Sequence, residues 1–285
     1  MTACAAKEAA RDPKVGLVAD LKLQELELSK KPRVTGIIAA GGSGTRLGAA
    51  GGKQLLEVAG KPIAAWAVDA LAAAELIDDI VIVCDPCRMT EYAQTISASV
   101  TTAKPLSYVA GGDTREESVM AGLLSAEVAA VTGVGDRDGS SGLKDVDDDA
   151  IVVIHDGARP LLEASYVDKA IAAFIADSEI DGIVLGNPAV DTLKRVNESA
   201  CVEESPARES FWHAQTPQIF YRTRLMEAIE KARTEGFLGT DDASYIEHNG
   251  GEVVMCHSSR NNIKVTSPED LDFVELMLQK ARNSC

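Results

Sequence analysis

Apolar and polar positions change period repeatedly after residue 33. Short apolar runs at 34–40, 80–84, 106–110, 150–154, 182–185 and 252–256 have the length and composition of strands. Between them, helical patterns occupy 63–74, 88–97, 114–126, 165–175 and 223–233. Strands joined by helices at this spacing predict an α/β fold, a mostly parallel sheet covered on both faces. Local chemistry supports the helix starts. Thr114 and Glu117 make a capping box, and Ser267-Pro268-Glu269-Asp270 combines a cap, a first-turn proline and early acids ahead of a final helix over 268–281. That helix is expected to pack Leu271, Val274 and Leu278 on the sheet.

Three stretches stand outside the alternation. Residues 1–32 read as an N-terminal extension, helical or disordered, ahead of a main domain over 33–285. Leu17, Val18, Leu21 and Leu28 line one side of a short helical pattern that Pro32 stops. The extension lacks a signal-peptide apolar core and is too acidic for a typical transit peptide. Residues 132–149 are rich in Gly, Ser and Asp and read as a solvated loop insertion, its aspartates at 147–149 being solvent-facing charges rather than a cation site. Residues 187–215 read as a long hairpin leaving the sheet. An arm that exposes Phe211 and Trp212 needs a surface to bury them, which predicts a second subunit and a homodimer.

Composition narrows the partners. The formal net charge of −16 argues against a nucleic-acid surface, which needs a basic stripe, and no apolar run approaches membrane-span length. A polyanionic ligand must then be held by a few local cations. Cys84-Asp-Pro-Cys87 has C-x-x-C spacing, but Cys84 ends an apolar strand pattern, no second pair exists, and four histidines offer no fitting ligand set. A reducing, intracellular compartment and a soluble chain follow as expectations.

The chemistry concentrates in glycine-rich loops. After the first strand comes Ala39-Ala40-Gly41-Gly42-Ser43-Gly44-Thr45-Arg46, then Gly52-Lys53-Gln54. Glycines let backbone N–H groups converge on an anion, and Arg46 and Lys53 add charge where a polyphosphate would lie. A Walker loop is excluded because Gln54 follows Lys53, and a dinucleotide fingerprint because Leu47 occupies its third glycine position. Three further motifs fall at predicted strand ends or before a helix, where α/β sheets bind ligands: Gly111-Gly112-Asp113-Thr114-Arg115, His155-Asp156-Gly157-Ala158-Arg159-Pro160 and Asn262-Ile263-Lys264-Val265-Thr266. Asp156 is the metal candidate, since one carboxylate with phosphates and waters commonly holds Mg²⁺. Lys264 reads as a site lysine, and His155 as a packing residue.

With Asp191-Thr192-Leu193-Lys194, Trp212-His213-Ala214-Gln215-Thr216-Pro217-Gln218 and Thr240-Asp241-Asp242-Ala243-Ser244, these motifs occur in the order seen in the 2-C-methyl-D-erythritol 4-phosphate cytidylyltransferase family, which the chain resembles from 34 to about 275. The resemblance implies a Rossmann-like nucleotidyltransferase fold with a protruding β-arm for dimerisation. It implies cytidylyl transfer from CTP to methylerythritol phosphate, releasing pyrophosphate, with Mg²⁺ or another divalent cation. By similarity Ala39, Ala40, Gly41, Gly112, Asp113 and Ser118 would hold cytidine. Arg46, Lys53 and Lys264 would surround the triphosphate, and Asp156 would lie at the ribose and metal. Thr192 and Arg208 of a partner's arm, with Thr240 and Lys264, would contact methylerythritol phosphate. Gly52 departs from the family's usual proline, and Asn261 from an acidic residue of some relatives. Cys84-Asp85-Pro86 is closer to plant and algal members, implying the plastid stroma in such an organism and the cytoplasm otherwise. Two rival readings are a cytidylyltransferase for another polyol phosphate, such as ribitol 5-phosphate, and a catalytically silent CTP-binding regulator.

Overall fold

A computed structural model describes residues 31–42, 52–131 and 150–283. Arg46, most of the N-terminal extension and the 132–149 insertion lie outside the described residues. In chain order the elements are β1 (Val34–Ala39), β2 (Glu57–Val58), β3 (Lys61–Pro62), α1 (Ile63–Ala72), β4 (Asp79–Cys84), α2 (Met89–Ser99), β5 (Leu106–Ala110), α3 (Arg115–Val131) and β6 (Ile151–Asp156). There follow α4 (Ala164–Ala176), β7 (Gly182–Pro188), β8 (Arg195–Val196), β9 (Val202–Glu204), β10 (Trp212–Tyr221), α5 (Arg222–Glu235), α6 (Ala243–His248), β11 (Val253–His257) and α7 (Pro268–Asn283).

Seven strands form one sheet in the order β11-β7-β10-β6-β1-β4-β5, parallel except for β10. Alternate residues feed opposite faces, as the pleat requires. Val34, Ile38, Ile80, Ile82, Ile151 and Val153 join the side chains of α1, α2 and α4 on one face. Ile37, Val81, Val83, Val152 and Ile154 join those of α3, α5 and α6 on the other. Burial on both faces explains why the parallel strands read as continuous apolar runs.

Three expectations need correction. The segment from Trp212 onward is the antiparallel strand β10 of the main sheet, so the arm is narrower than 187–215, with β8 and β9 as its two-stranded hairpin. Pro217 hid that strand, because a proline cannot donate to a ladder. Here it falls where pairing passes from Ala214↔Gly186 to Gln218↔Val184, four residues of β10 against two of β7. Trp212 accordingly is half-buried and tilts against the His257 ring, centroids 4.7 Å apart, whereas Phe211 is exposed as expected. The last helix does not pack on the sheet: Leu271, Val274 and Leu278 of α7 join Val58, Ile63, Trp66 and Val265 in a separate small core.

Candidate active site

The chain runs from β1 outward to β4 and β5, then returns to place β6 on the other side of β1. Such a reversal opens a crevice at the carboxyl ends of the two strands. Ala39 and Asp156 are register partners at that point, and Cys84 and Ala110 end β4 and β5 on the same edge. Four loops therefore leave the sheet side by side.

The backbone seats them tightly. The Ala40 N–H donates to Val83 O at 2.8 Å, Gly111 N–H to Cys84 O at 2.8 Å, and Gly157 N–H to Ala39 O at 2.9 Å. A side chain at 157 would put a Cβ 3.1 Å from that same carbonyl, so glycine permits the close approach. Gly112 N–H donates to Ser118 Oγ at 3.2 Å, and Thr114 and Glu117 cap α3 reciprocally at 3.0 Å each, as the capping box predicts. Asp113 is exposed beside them.

Asp156 is the electrostatic centre. Its Oδ2 pairs with Lys264 Nζ at 2.9 Å and accepts from Arg159 Nε at 3.3 Å, while Arg115 Nη2 stands 3.9 Å from Oδ1. Burial alone would raise this carboxyl's pKa, but the Lys264, Arg115 and Arg159 charges together hold it well below the usual carboxylate range. Lys53 lies on a short 3₁₀ turn and its Nζ donates to Val265 O at 2.7 Å, next in sequence to Lys264. Val265 N–H in turn donates to Ala158 O at 2.8 Å. The glycine-loop lysine, the 264 segment and the Asp156 turn are thus joined.

Beneath Asp156 runs a closed circuit of hydrogen bonds whose direction backbone chemistry dictates. Asp156 N–H donates to Thr216 Oγ1 at 3.0 Å, and Thr216 Oγ1 meets His155 Nδ1 at 3.0 Å. His155 Nε2 faces Arg159 O at 3.1 Å. A carbonyl only accepts, so Nε2 carries the proton and Nδ1 accepts from the threonine hydroxyl. Arg159 Nη1 donates to Asn262 O and Asn262 Nδ2 to Thr216 O, both at 2.8 Å, which returns the chain to its start. His155 is fully buried, and burial lowers its pKa to about 4, so it is neutral at pH 7. Its role is structural, as its sequence context suggested.

The remaining candidates are more dispersed. Thr240 is exposed and precedes Asp241, whose Oδ1 accepts from Ser244 N–H at 3.0 Å at the start of α6. Thr192 and Arg208 are exposed on the arm, where Arg208 Nη1 donates to Val190 O at 2.8 Å. Neither makes a polar contact with the Asp156 cluster among the described residues. Sequence reasoning undervalued Arg115, Arg159, Thr216, Gln218, Asp242 and Asn262. Each lies inside a quoted motif, but only the three-dimensional structure shows that they converge. Among the described residues, no three His, Cys, Asp or Glu side chains form a metal-holding group.

The sequence that builds this crevice, with a lysine on its glycine-loop side and a cation-ringed aspartate beside it, matches a known family. The IspD family model, 2-C-methyl-D-erythritol 4-phosphate cytidylyltransferase, matches residues 34–136 and 123–280. The chain belongs to this family. A cytidylyltransferase of that name from Geotalea uraniireducens is 34% identical over 251 residues, covering 88% of this chain and 99% of the relative. One from Synechococcus sp. (strain CC9902) is 37% identical over 242 residues, covering 85% and 96%. Among solved structures, the 4-diphosphocytidyl-2C-methyl-D-erythritol synthase of Anaerococcus prevotii superposes with a TM-score of 0.69 at 25% identity, covering 87% of this chain and 96% of that one. The Thermus thermophilus 2-C-methyl-D-erythritol 4-phosphate cytidylyltransferase gives 0.61 at 25% identity, covering 87% and 99%.

Gly52, immediately before Lys53, adopts φ 78°, which proline cannot reach. A Cβ there would sit 2.8 Å from Tyr92 Oη. Glycine therefore permits the backbone turn that delivers Lys53.

Proposed function

We propose that this chain transfers the cytidylyl group of CTP to 2-C-methyl-D-erythritol 4-phosphate, giving 4-diphosphocytidyl-2-C-methyl-D-erythritol and pyrophosphate. The carrying observation is the Lys264–Asp156–Arg159 cluster at the strand reversal, with Lys53 tied to it through Val265. Ala39, Ala40 and Gly41 on one side and Gly112, Asp113 and Ser118 on the other are assigned to cytidine. Arg46, Lys53 and Lys264 are assigned to the triphosphate, and Thr192, Arg208, Thr240 and Lys264 to the acceptor.

The acceptor's phosphate monoester is largely ionised at neutral pH, so the attack requires no general base. That fits a histidine whose two ring nitrogens are both committed to hydrogen bonds. The barrier lies in joining two anions and stabilising charge on the α-phosphate and departing pyrophosphate. Fixed cations supply that stabilisation without reorganising during the reaction. Asp156 keeps them in place, because three positive side chains converging without it would repel one another.

For a divalent cation such as Mg²⁺ the protein offers one carboxylate oxygen, Asp156 Oδ1, because Oδ2 is paired with Lys264 and Arg159. Asp156 would be its carboxylate, and substrate phosphates and waters would complete the shell, a mode common for Mg²⁺. When bound, it would neutralise phosphate charge. We also propose a homodimer in which the arm carries Thr192 and Arg208 toward a partner's crevice. Exposed Val190, Val196, Val202 and Phe211 support this reading. No helix among the described residues is long and apolar enough to cross a membrane. Free Cys84, Cys87, Cys201 and Cys256 support a reducing compartment, the plastid stroma in a plant or alga and the cytoplasm otherwise.

The test is pyrophosphate release from CTP with each acceptor. Methylerythritol phosphate should be turned over fastest. Faster turnover of ribitol 5-phosphate would reassign the acceptor, and CTP binding without turnover would make the chain a regulator.

A further inference from the structure

Asp242 is almost fully buried, 1% exposed, immediately behind the Thr240–Asp241 loop. Its Oδ1 accepts from Arg115 Nη1, whereas Oδ2 is buried with no hydrogen-bond partner. Burial raises the carboxyl's pKa, and Arg115 draws it back only in part. A buried carboxylate with one bare oxygen is a poor stabiliser, because desolvation offsets most of the Coulombic gain. Its position is more telling than its energy.

Arg115 is the first residue of α3 and directly follows the Gly111–Thr114 loop. Its guanidinium spans Asp242 and Asp156, bonded to the first and 3.9 Å from the second. Asp156 Oδ2 is occupied by Lys264 and Arg159, so Oδ1 is the oxygen that this spacing leaves open. The 240–242 loop is itself anchored from below. Gln218 Nε2 donates to Asp241 Oδ2 at 2.8 Å, and Ala243 N–H donates to Gln218 Oε1 at 3.0 Å. Glu116 adds a parallel tie, accepting from Arg233 and, at 2.9 Å, from Tyr245 Oη. The loop before α3 and the loop before α6 are therefore braced against each other through an ion pair whose carboxylate is buried and whose guanidinium is partly exposed.

We propose that Asp242 is a positioning residue: it holds Arg115 back from Asp156 Oδ1 and fixes the Thr240 loop relative to the Gly112–Asp113 loop. The assignment rests on the cytidylyltransferase reading, in which those loops serve acceptor and nucleotide. Without the charge at 242, Arg115 has a single carboxylate to pair with and closes onto Asp156.

The experiment is a double-mutant cycle with Asp242→Asn and Arg115→Met, read as steady-state pyrophosphate release alongside thermal unfolding. Asp242→Asn should lower kcat/KM for CTP and for the acceptor together, by about tenfold. It should lower the melting temperature by no more than a few degrees, since removing one partner of the pair costs stability but leaves a partly exposed Arg115 free to turn to Asp156. In the Arg115→Met background the same substitution should have no further effect on kcat/KM. Asp242→Ser repeats the cycle should the asparagine variant fail to fold. Equal losses in both backgrounds, or a lowered melting temperature with unchanged kinetics, would overturn the proposal. Wild-type protein that releases no pyrophosphate would instead reject the underlying activity, before any variant is compared.

Discussion

Lys53 Nζ donates to the carbonyl oxygen of Val265 at 2.7 Å across 212 positions of sequence. Val265 has no exposed surface, and its side chain belongs to the small core formed with α7. The small core with the C-terminal helix thus fixes the backbone segment that both anchors Lys53 and carries Lys264. Replacing Lys53 or Lys264 by Ala should lower kcat by about 10²–10³, the usual effect of losing one fixed charge at a reacting phosphate. Circular dichroism should be unchanged. Parental turnover in either variant would remove that lysine from the mechanism.

Asp156→Asn removes the counter-charge from three converging cations. Stability should fall by about 1–2 kcal/mol in urea unfolding, because the carboxylate is buried but solvent screens two of its three cations, which are more than a third exposed. Turnover should fall with it. A variant that unfolds at the parental urea concentration would show that the cluster relaxes freely into solvent.

The buried His155 gives stability an acid dependence with a defined sign. Its folded pKa is about 4, against an ordinary 6.5. Between those values the unfolded chain binds a proton that the folded chain excludes, so stability is full at neutral pH and declines as pH falls through this window. The loss should approach about 3 kcal/mol at its lower end. Asp156, held low, adds its own loss below its ordinary 3.8. Urea unfolding from pH 7 to 4 should show the slope, and His155→Gln should flatten it. An unchanged slope would mean that another group is responsible.

Gly52→Ala meets two penalties at once, a positive φ and a Cβ 2.8 Å from Tyr92 Oη. The expected cost is about 1–2 kcal/mol. Tyr92→Phe removes the facing oxygen and should recover part of it. Gly52→Pro should be worse, since the ring fixes a negative φ. Equal melting temperatures for wild type and Gly52→Ala would show that the turn readily takes another path.

The arm predicts association. If the proposed homodimer forms through it, Phe211→Ser with Val202→Ser should shift sedimentation from dimer toward monomer and lower turnover, since the proposal has Thr192 and Arg208 reach a partner's crevice. Unchanged association would reassign the exposed apolar residues to another surface.

The parallel strands were legible because burial on both faces forces unbroken Val and Ile runs, and α3 announced itself through Thr114 and Glu117. The motifs that build the crevice were also visible as local patterns, since glycine turns and capped helices are short-range features. β10 was hidden by Pro217, whose tolerance depends on a bulge against β7. The destination of α7 was misjudged because an amphipathic stripe says that a helix buries one face and nothing about which surface receives it.

Local order along the chain was therefore enough for the α/β class, the family and the identity of most polar groups at the strand ends. Which of those groups touch was settled only when the sheet reversed direction between β1 and β6. Arg115, Asp156, Asp242 and Lys264 come from four separate segments, and their pairing depends on register and burial. Those are properties of strands and helices packed together, and no single segment carries them.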